Sequence, residues 1–329
     1  MVSWLDLTFF LFIRQSASPV VIFKVADMVP CHLSTAWVRC FSSSFLNPNL
    51  ILYGSAADQA LEFEVVTASG QFLTANAAVN SDLFWALKGG GPSTFAAVIS
   101  VTVKTHSEQP TAGIILNINN THTTNTDTFW KGFAALHDLA PYFVNNGMFV
   151  YYELSQGRLH VQPIVGPNMT AARINEVVKP LFDTLKSQNV PYSTVTKEFP
   201  TFFDLYIDMF EDEGAAASAL TGGRLFTKRD FELGTASINN AYKTAISNGA
   251  FIIGHIVGPG YGAYMVDNAV HPAWRDGASF SITSLSLAGN AAWTEKRRVQ
   301  NILTNVVGSA LRVVSPFGAA YVNEVRPLS

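Results

Sequence analysis

Charge is scarce in this chain of 329 residues: Asp, Glu, Lys and Arg supply 14% of it, while hydrophobic residues supply 48%. An average soluble domain carries roughly 25% charged residues, so this chain has the material for a large core, and its length suits one large or two ordinary domains. Two domains are expected. No stretch repeats at a period of about 20 to 50 residues, which excludes solenoid and propeller arrays. The net charge is −3, and no stripe of Lys and Arg interleaves with aromatics, so nucleic acid is not an expected partner. Nor is there a run of about 18 apolar residues, the length a membrane-spanning helix needs.

Cysteine is nearly absent. Cys31 and Cys40 are the two present, with His32 beside the first. A zinc site would need two further ligands at suitable spacing and none is evident, which leaves a chance pair or a single disulfide. The apolar stretch from Leu7 to Ile13 has Asp6 at its start and no basic residue before it. It makes a poor secretory leader, although Ser16-Ala17-Ser18 has the small-residue character of a cleavage site. Two glycosylation sequons, Asn119-Asn120-Thr121 and Asn168-Met169-Thr170, suit a secreted protein, and location stays open. A Gly-x-Ser-x-Gly elbow and an HExxH pair are missing, so hydrolase readings have no support, and the glycine run Gly89-Gly90-Gly91 is neither the GxGxxG of a dinucleotide fold nor a P-loop.

What is present begins at residue 53. Residues 1–52 follow neither helical nor strand periodicity for long and are broken by Ser42-Ser43-Ser44 and Asn47-Pro48-Asn49, so they read as an atypical, poorly ordered segment. From Leu61, Phe63 and Val65 alternate with Glu62 and Glu64, Ser69-Gly70 turns the chain, and Gln71 to Ala75 returns, which is a hairpin. Asn80 or Ser81 can cap a short helix with Leu83, Phe84 and Leu87 on one side. Gly89-Gly90-Gly91 ends it before an apolar strand from Phe95 to Val103. Pro110 and the polar run Asn117 to Thr126 change the texture, so a first unit over 53–110 and a second over 111–329 are expected.

The second unit alternates helix and strand. Phe129, Trp130, Phe133, Leu136 and Ala140 share a helical face behind a cap at Asp127; Met148 to Leu154 and Arg158 to Val165 form a hairpin; Ile174, Val177, Val178, Leu181 and Leu185 mark a helix containing Pro180, a kink position. Val299, Ile302, Leu303 and Val306 mark a last helix. The fold class is α+β, with antiparallel sheet covered by helices. Asp204, Asp208 and Asp212 share a helical face, but interleaved Leu205 and Met209 make them the solvated side of an amphipathic helix and not a metal site. His255 reads as a satisfied interior histidine.

Three glycines alone, as in Gly89-Gly90-Gly91, mark a tight turn or a place where backbone approaches a ligand closely. Their context is more specific. Tyr53-Gly54-Ser55-Ala56-Ala57-Asp58, the hairpin Leu61 to Gly70, and Leu83-Phe84-Trp85-Ala86-Leu87-Lys88-Gly89-Gly90-Gly91 follow one another in fixed spacing. The stretch resembles the latter part of the flavin domain of berberine-bridge-enzyme-like, FAD-linked oxidases of the vanillyl-alcohol oxidase and p-cresol methylhydroxylase superfamily. Two further segments carry the likeness: Ala269-Val270-His271-Pro272-Ala273-Trp274-Arg275, similar to a substrate-domain motif of the fungal branch, and Tyr321-Val322-Asn323-Glu324, similar to the strand that faces the flavin.

The resemblance implies a remnant of a p-cresol-methylhydroxylase-type FAD domain followed by a substrate domain. Gly54, Ala57, Asp58, Gly89, Gly90, Gly91 and Val98 would lie along the FAD, mostly through backbone. Ser55 and Ala96 depart from the family pattern, Ala96 standing where glycine is usual. Glu324 would be the catalytic base, assisted by Tyr321, with a small organic substrate, hydride transfer to flavin and molecular oxygen as acceptor. On their own residues, Trp274 reads as core, Arg275 as the partner of a carboxylate, and Glu324 as an exposed terminal glutamate. The family's pyrophosphate-binding and covalent-attachment text has no counterpart in 1–52, so no covalent flavin link is expected. Two readings follow: a flavin oxidase of secondary metabolism, or an inactive fragment or misread gene product that binds no FAD.

Overall fold

A computed structural model describes residues 20–24 (backbone), 54–91, 94–104, 106–119, 126–210, 219–260 and 266–321. Cys31, His32, Cys40, Asp212 and Glu324 lie outside these.

Two antiparallel sheets organise the chain. The first has four strands, β1 (Val20–Lys24), β2 (Ala60–Thr67), β3 (Phe72–Asn76) and β4 (Ala96–Lys104), in the order β1-β4-β2-β3. The alternation read from sequence is visible in β2, where Val65 is fully buried and Phe63 meets the Phe84 ring at 5.9 Å. The alternating glutamates are tied rather than free. Glu62 accepts from Asn76 Nδ2 at 2.8 Å and Glu64 from Ser100 Oγ at 2.5 Å. Gly70, at φ +79°, makes the hairpin turn, a conformation that glycine adopts without strain. Helix α1 (Ala56–Gln59) precedes β2, and α2 (Ser81–Leu87) joins β3 to β4. Asn80 stands at the N-cap of α2, but its side chain reaches back to the Thr74 carbonyl at 2.7 Å instead of capping.

The second sheet has seven strands: β5 (Thr111–Asn119), β6 (Phe149–Ser155), β7 (Arg158–Pro167), β8 (Ser193–Phe199), β9 (Ala219–Thr227), β10 (Phe251–Ile256) and β11 (Gly277–Ser286). Their order is β8-β5-β7-β6-β10-β11-β9, antiparallel throughout. Helices α3 (Thr126–His137), α4 (Ala140–Asn145), α5 (Ala171–Ser187), α7 (Lys228–Leu233) and α8 (Thr235–Ser247) supply the covering layer. Ile114, Tyr152, Leu159 and Ile252 from the strands pack there with Phe133, Val178 and Tyr242 from the helices. Asp127 falls inside the first turn of α3, which begins at Thr126, so it is not the cap. Pro180 lies inside α5, which continues on both sides of it.

The opposite face of the sheet carries a second apolar cluster. Phe149, Val165, Leu225 and Phe280 meet Leu205 and Met209 of α6 (Phe202–Met209) and Trp274 of the 3₁₀ turn Pro272–Asp276. On α6, Asp208 pairs with Lys197 at 2.6 Å and Asp204 accepts from Thr201 Oγ1 at 2.7 Å, the solvated role their spacing suggested. The last helical stretch runs α9 (Trp293–Asn301), a π-helical segment Ile302–Val307, and α10 (Gly308–Val313). Its buried series is Val299, Leu303, Val307 and Leu311, not one ending at Val306. A four-residue repeat outruns the α-helical period, and the wider π turn brings Val307 back onto the sheet.

Candidate functional site

Two of the sequence motifs meet at Asp58. Ser55 caps α1, and its N–H and Oγ donate to Asp58 Oδ2 at 2.8 and 2.6 Å. Arg275, in the 3₁₀ turn, grips the same carboxylate with both terminal nitrogens, Nη1 to Oδ2 at 2.6 Å and Nη2 to Oδ1 at 2.9 Å. Asn268 Nδ2 donates to Oδ1 at 2.8 Å and accepts from Arg275 through its own oxygen. Burial pushes the Asp58 carboxyl up, but the hydrogen bonds from Arg275 and Ser55 and the guanidinium charge outweigh it and hold it below the ordinary value. Trp274 is buried against Phe280 at 5.4 Å. The core tryptophan and paired arginine read from the sequence are both present.

The glycine turn packs on the same motif. A side chain at Gly89, where φ is +114°, would lie 2.7 Å from the Val270 nitrogen, and one at Gly90 would lie 2.5 Å from the Ala86 carbonyl oxygen. These two glycines are required by the chain's own backbone and by its approach to Val270. Gly91, at φ +110°, has Thr94 Oγ1 as the one neighbour among the described residues within reach of an added carbon, at 3.0 Å. Beside the turn, Lys88 is buried with its ammonium 4.7 Å from the Phe84 ring centre, and loss of water pushes its pKa down. Gly54 is buried at φ +87°, Ala57 packs against the second cluster, and Val98 is half-buried on β4 opposite Val65. Ala96 pairs with Thr67 and is buried.

A third feature was not legible as a site in the sequence. Tyr151 of β6, His255 of β10 and Phe280 of β11 are direct cross-strand partners, forming one row across three adjacent strands. Ring centres are 5.2 Å apart for Tyr151 and His255, and 6.3 Å for His255 and Phe280. Phe149 lies 6.0 Å from His255, Phe210 6.3 Å from Tyr151, and Tyr321 stands edge-on to Phe280 at 6.1 Å. His255 is interior, as expected, but it is not fully satisfied: its Nδ1 has no hydrogen-bond partner among the described residues. Burial, opposed by a hydrogen bond with the Phe280 backbone, pushes its pKa down to about 3, so the ring is neutral.

The segment bearing Tyr321 is pinned to the sheet. Leu225 N–H donates to the Ala319 carbonyl at 2.8 Å, and Phe317 N–H donates to Asp230 Oδ1 at 3.0 Å. Arg224 Nε donates to Ser315 Oγ at 2.6 Å. Tyr321 therefore enters the aromatic row from a fixed direction. Among the described residues no group of three or more His, Cys, Asp or Glu could hold a metal, and no helix is long and apolar enough to cross a membrane.

No family model matches the sequence. The chain is 32% identical over 282 residues to the FAD-linked oxidoreductase sor8 of Hypocrea jecorina, covering 85% of this chain and 48% of that protein. It is 30% identical over 276 residues to the FAD-linked oxidoreductase ZEB1 of Gibberella zeae, covering 83% of this chain and 48% of that one. The chain thus spans about half the length of these curated relatives. Its fold matches the crystal structure of the VAO-type flavoprotein MtVAO615 from Myceliophthora thermophila C1, with a TM-score of 0.80 and 21% identity, over 96% of this chain and 62% of that one.

Against a flavin, these residues divide. Gly89 and Gly90 are taken up by internal contacts, and the Asp58 carboxylate is committed to Arg275. Gly91 and the half-exposed run Ala97 to Ile99 of β4 leave backbone that a flat partner could approach, whereas the aromatic row is buried apart from half-buried Tyr151 and holds one unsatisfied nitrogen.

Proposed function

Because the chain belongs to the vanillyl-alcohol-oxidase and berberine-bridge-enzyme-like family of fungal FAD-linked oxidoreductases, we propose that it oxidises a small organic substrate held on the aromatic face of the seven-stranded sheet. A bound flavin supplies a two-electron acceptor for hydride. Gly91 and Val98 would contact it directly, with Gly54, Ala57, Gly89 and Gly90 shaping the backbone behind them and Asp58 holding that backbone through Arg275. Secondary metabolism is the proposed setting and molecular oxygen the proposed acceptor.

The chain's own residues would handle position and protons. The Tyr151, His255 and Phe280 row, with Phe149 beneath it, keeps water from the reacting carbon, and Tyr321 orients the substrate hydroxyl from the edge of Phe280. Glu324, three residues beyond Tyr321, is the proposed base, taking the hydroxyl proton as hydride leaves, a task that calls for a group tuned toward neutral pKa. The observation that supports this reading best is the three-strand aromatic row with Tyr321 anchored beside it. A visible absorption spectrum of the purified chain, with and without added FAD, tests it. Protein-bound flavin bands are expected. A colourless chain that leaves added FAD free would overturn the reading in favour of an inactive fragment, and wild-type turnover in Glu324→Gln would remove Glu324 from the mechanism.

A further inference from the structure

Two of the three buried histidines among the described residues, His137 and His255, are treated differently by the fold. His137, in the helix-covered core, has both nitrogens engaged, Nδ1 with Asn239 Oδ1 at 3.2 Å and Nε2 with Ser279 Oγ at 3.1 Å. Asn239 spends its amide nitrogen on Asp138 at 2.7 Å, so its oxygen faces the histidine. The imidazole therefore donates from Nδ1 and accepts from Ser279 at Nε2. His255, on the other face and 5% exposed, leaves Nδ1 without a partner among the described residues. An unsatisfied buried polar atom is costly and uncommon in native folds, and it calls for an explanation.

The surroundings point to a ligand. His255 lies among the rings of Phe149, Tyr151 and Phe280, on the sheet face opposite the covering helices. Tyr151 and Phe210 at the edge of this group are half-buried, as are Ile253 and Ile282 on the same strands. We propose that His255 Nδ1 positions an uncharged, ring-bearing substrate by hydrogen-bonding its hydroxyl, while the aromatic row holds the ring. The inference rests on the oxidoreductase reading for the word substrate, but not for the binding itself.

Chemistry narrows the ligand. A neutral imidazole offers one N–H and one lone pair, and a hydroxyl, which both donates and accepts, serves either tautomer at Nδ1. The rings that contact His255 carry no formal charge, so a carboxylate placed there would lose its water and gain no countercharge. Flat or cyclic apolar bodies match rings set at 5 to 6 Å spacing. His255 is thus a positioning and specificity residue, and no proton transfer is assigned to it.

The test uses the full chain labelled with ¹⁵N-histidine and three probes: benzyl alcohol, toluene, which lacks the hydroxyl, and benzoate, which is charged. Benzyl alcohol is expected to shift the His255 Nδ1 resonance and to bind about tenfold more tightly than the other two, the worth of one hydrogen bond. In His255→Phe that preference disappears while toluene binding persists, and His255→Gln recovers part of it. Equal affinities for benzyl alcohol and toluene, an unmoved Nδ1 resonance with the probe bound, or no binding of any probe would each overturn the proposal. The wild-type resonance decides the matter even if a variant fails to fold. Since neither flavin nor turnover is read, loss of the oxidoreductase reading and loss of this inference are separate results.

Discussion

Asp58 and Arg275 are 217 residues apart in sequence and are joined by two parallel hydrogen bonds of 2.6 and 2.9 Å. The pair ties the helix leading into the four-stranded sheet to the turn leading into β11 of the seven-stranded sheet. The Asp58 side chain is fully buried and that of Arg275 is 23% exposed. Such a pair is a poor measure of net stability, because desolvation offsets attraction, but removing one partner leaves a buried charge unanswered.

Asp58→Ala and Arg275→Met are each expected to lower unfolding stability by about 3 to 5 kcal/mol, read by urea denaturation. Arg275→Lys should recover little, since one ammonium cannot span both carboxylate oxygens as the guanidinium does. A loss below about 1 kcal/mol in Arg275→Met would show that the contact between the two sheets is held elsewhere.

Acid should weaken the fold through His137. Its folded pKa is pushed down to about 4 by complete burial, against 6.5 for the free side chain. The unfolded chain therefore binds the proton first, so stability is complete above pH 6.5 and is lost as pH falls from 6.5 through about 4. The loss from this one group is about 3 kcal/mol. Melting temperature measured across that window should fall in the wild type, and the slope should flatten in His137→Gln.

Glycine positions with similar φ should respond unequally to alanine. Gly70 has φ +79° and open space around an added carbon, so Gly70→Ala should cost about 1 kcal/mol for backbone strain alone. Gly89 has φ +114° and the Val270 backbone in the way at 2.7 Å, so Gly89→Ala adds overpacking and should cost about 2 to 4 kcal/mol. Equal changes in urea midpoint for the two variants would contradict the close approach of Val270.

Much of the local structure was legible from residue order. Phe63 and Val65 alternating with Glu62 and Glu64 placed a hairpin, and the helical spacing of Ile174, Val177, Val178, Leu181 and Leu185 placed a helix with that buried face. Asp127 misled because aspartate suits both an N-cap and a first turn, and the helix begins one residue earlier, at Thr126. His255 misled because a lone histidine in an apolar strand gives no sign of whether its nitrogens find partners. The alternation of β10 says which face it occupies, and the partners come from β6 and β11.

By itself, then, the sequence determined the antiparallel character of the strands, the apolar helix faces, and the motifs that carry the family likeness, since each depends on periodicity or short spacing. Tertiary structure alone decided that Arg275 answers Asp58, that Val270 fills the space beside Gly89, that a π turn returns Val307 to the sheet, and that Tyr151, His255 and Phe280 share a row. The reason is physical: periodicity reports that a side chain is buried, whereas its partner depends on which distant segments the packing of two sheets brings within hydrogen-bond or van der Waals reach.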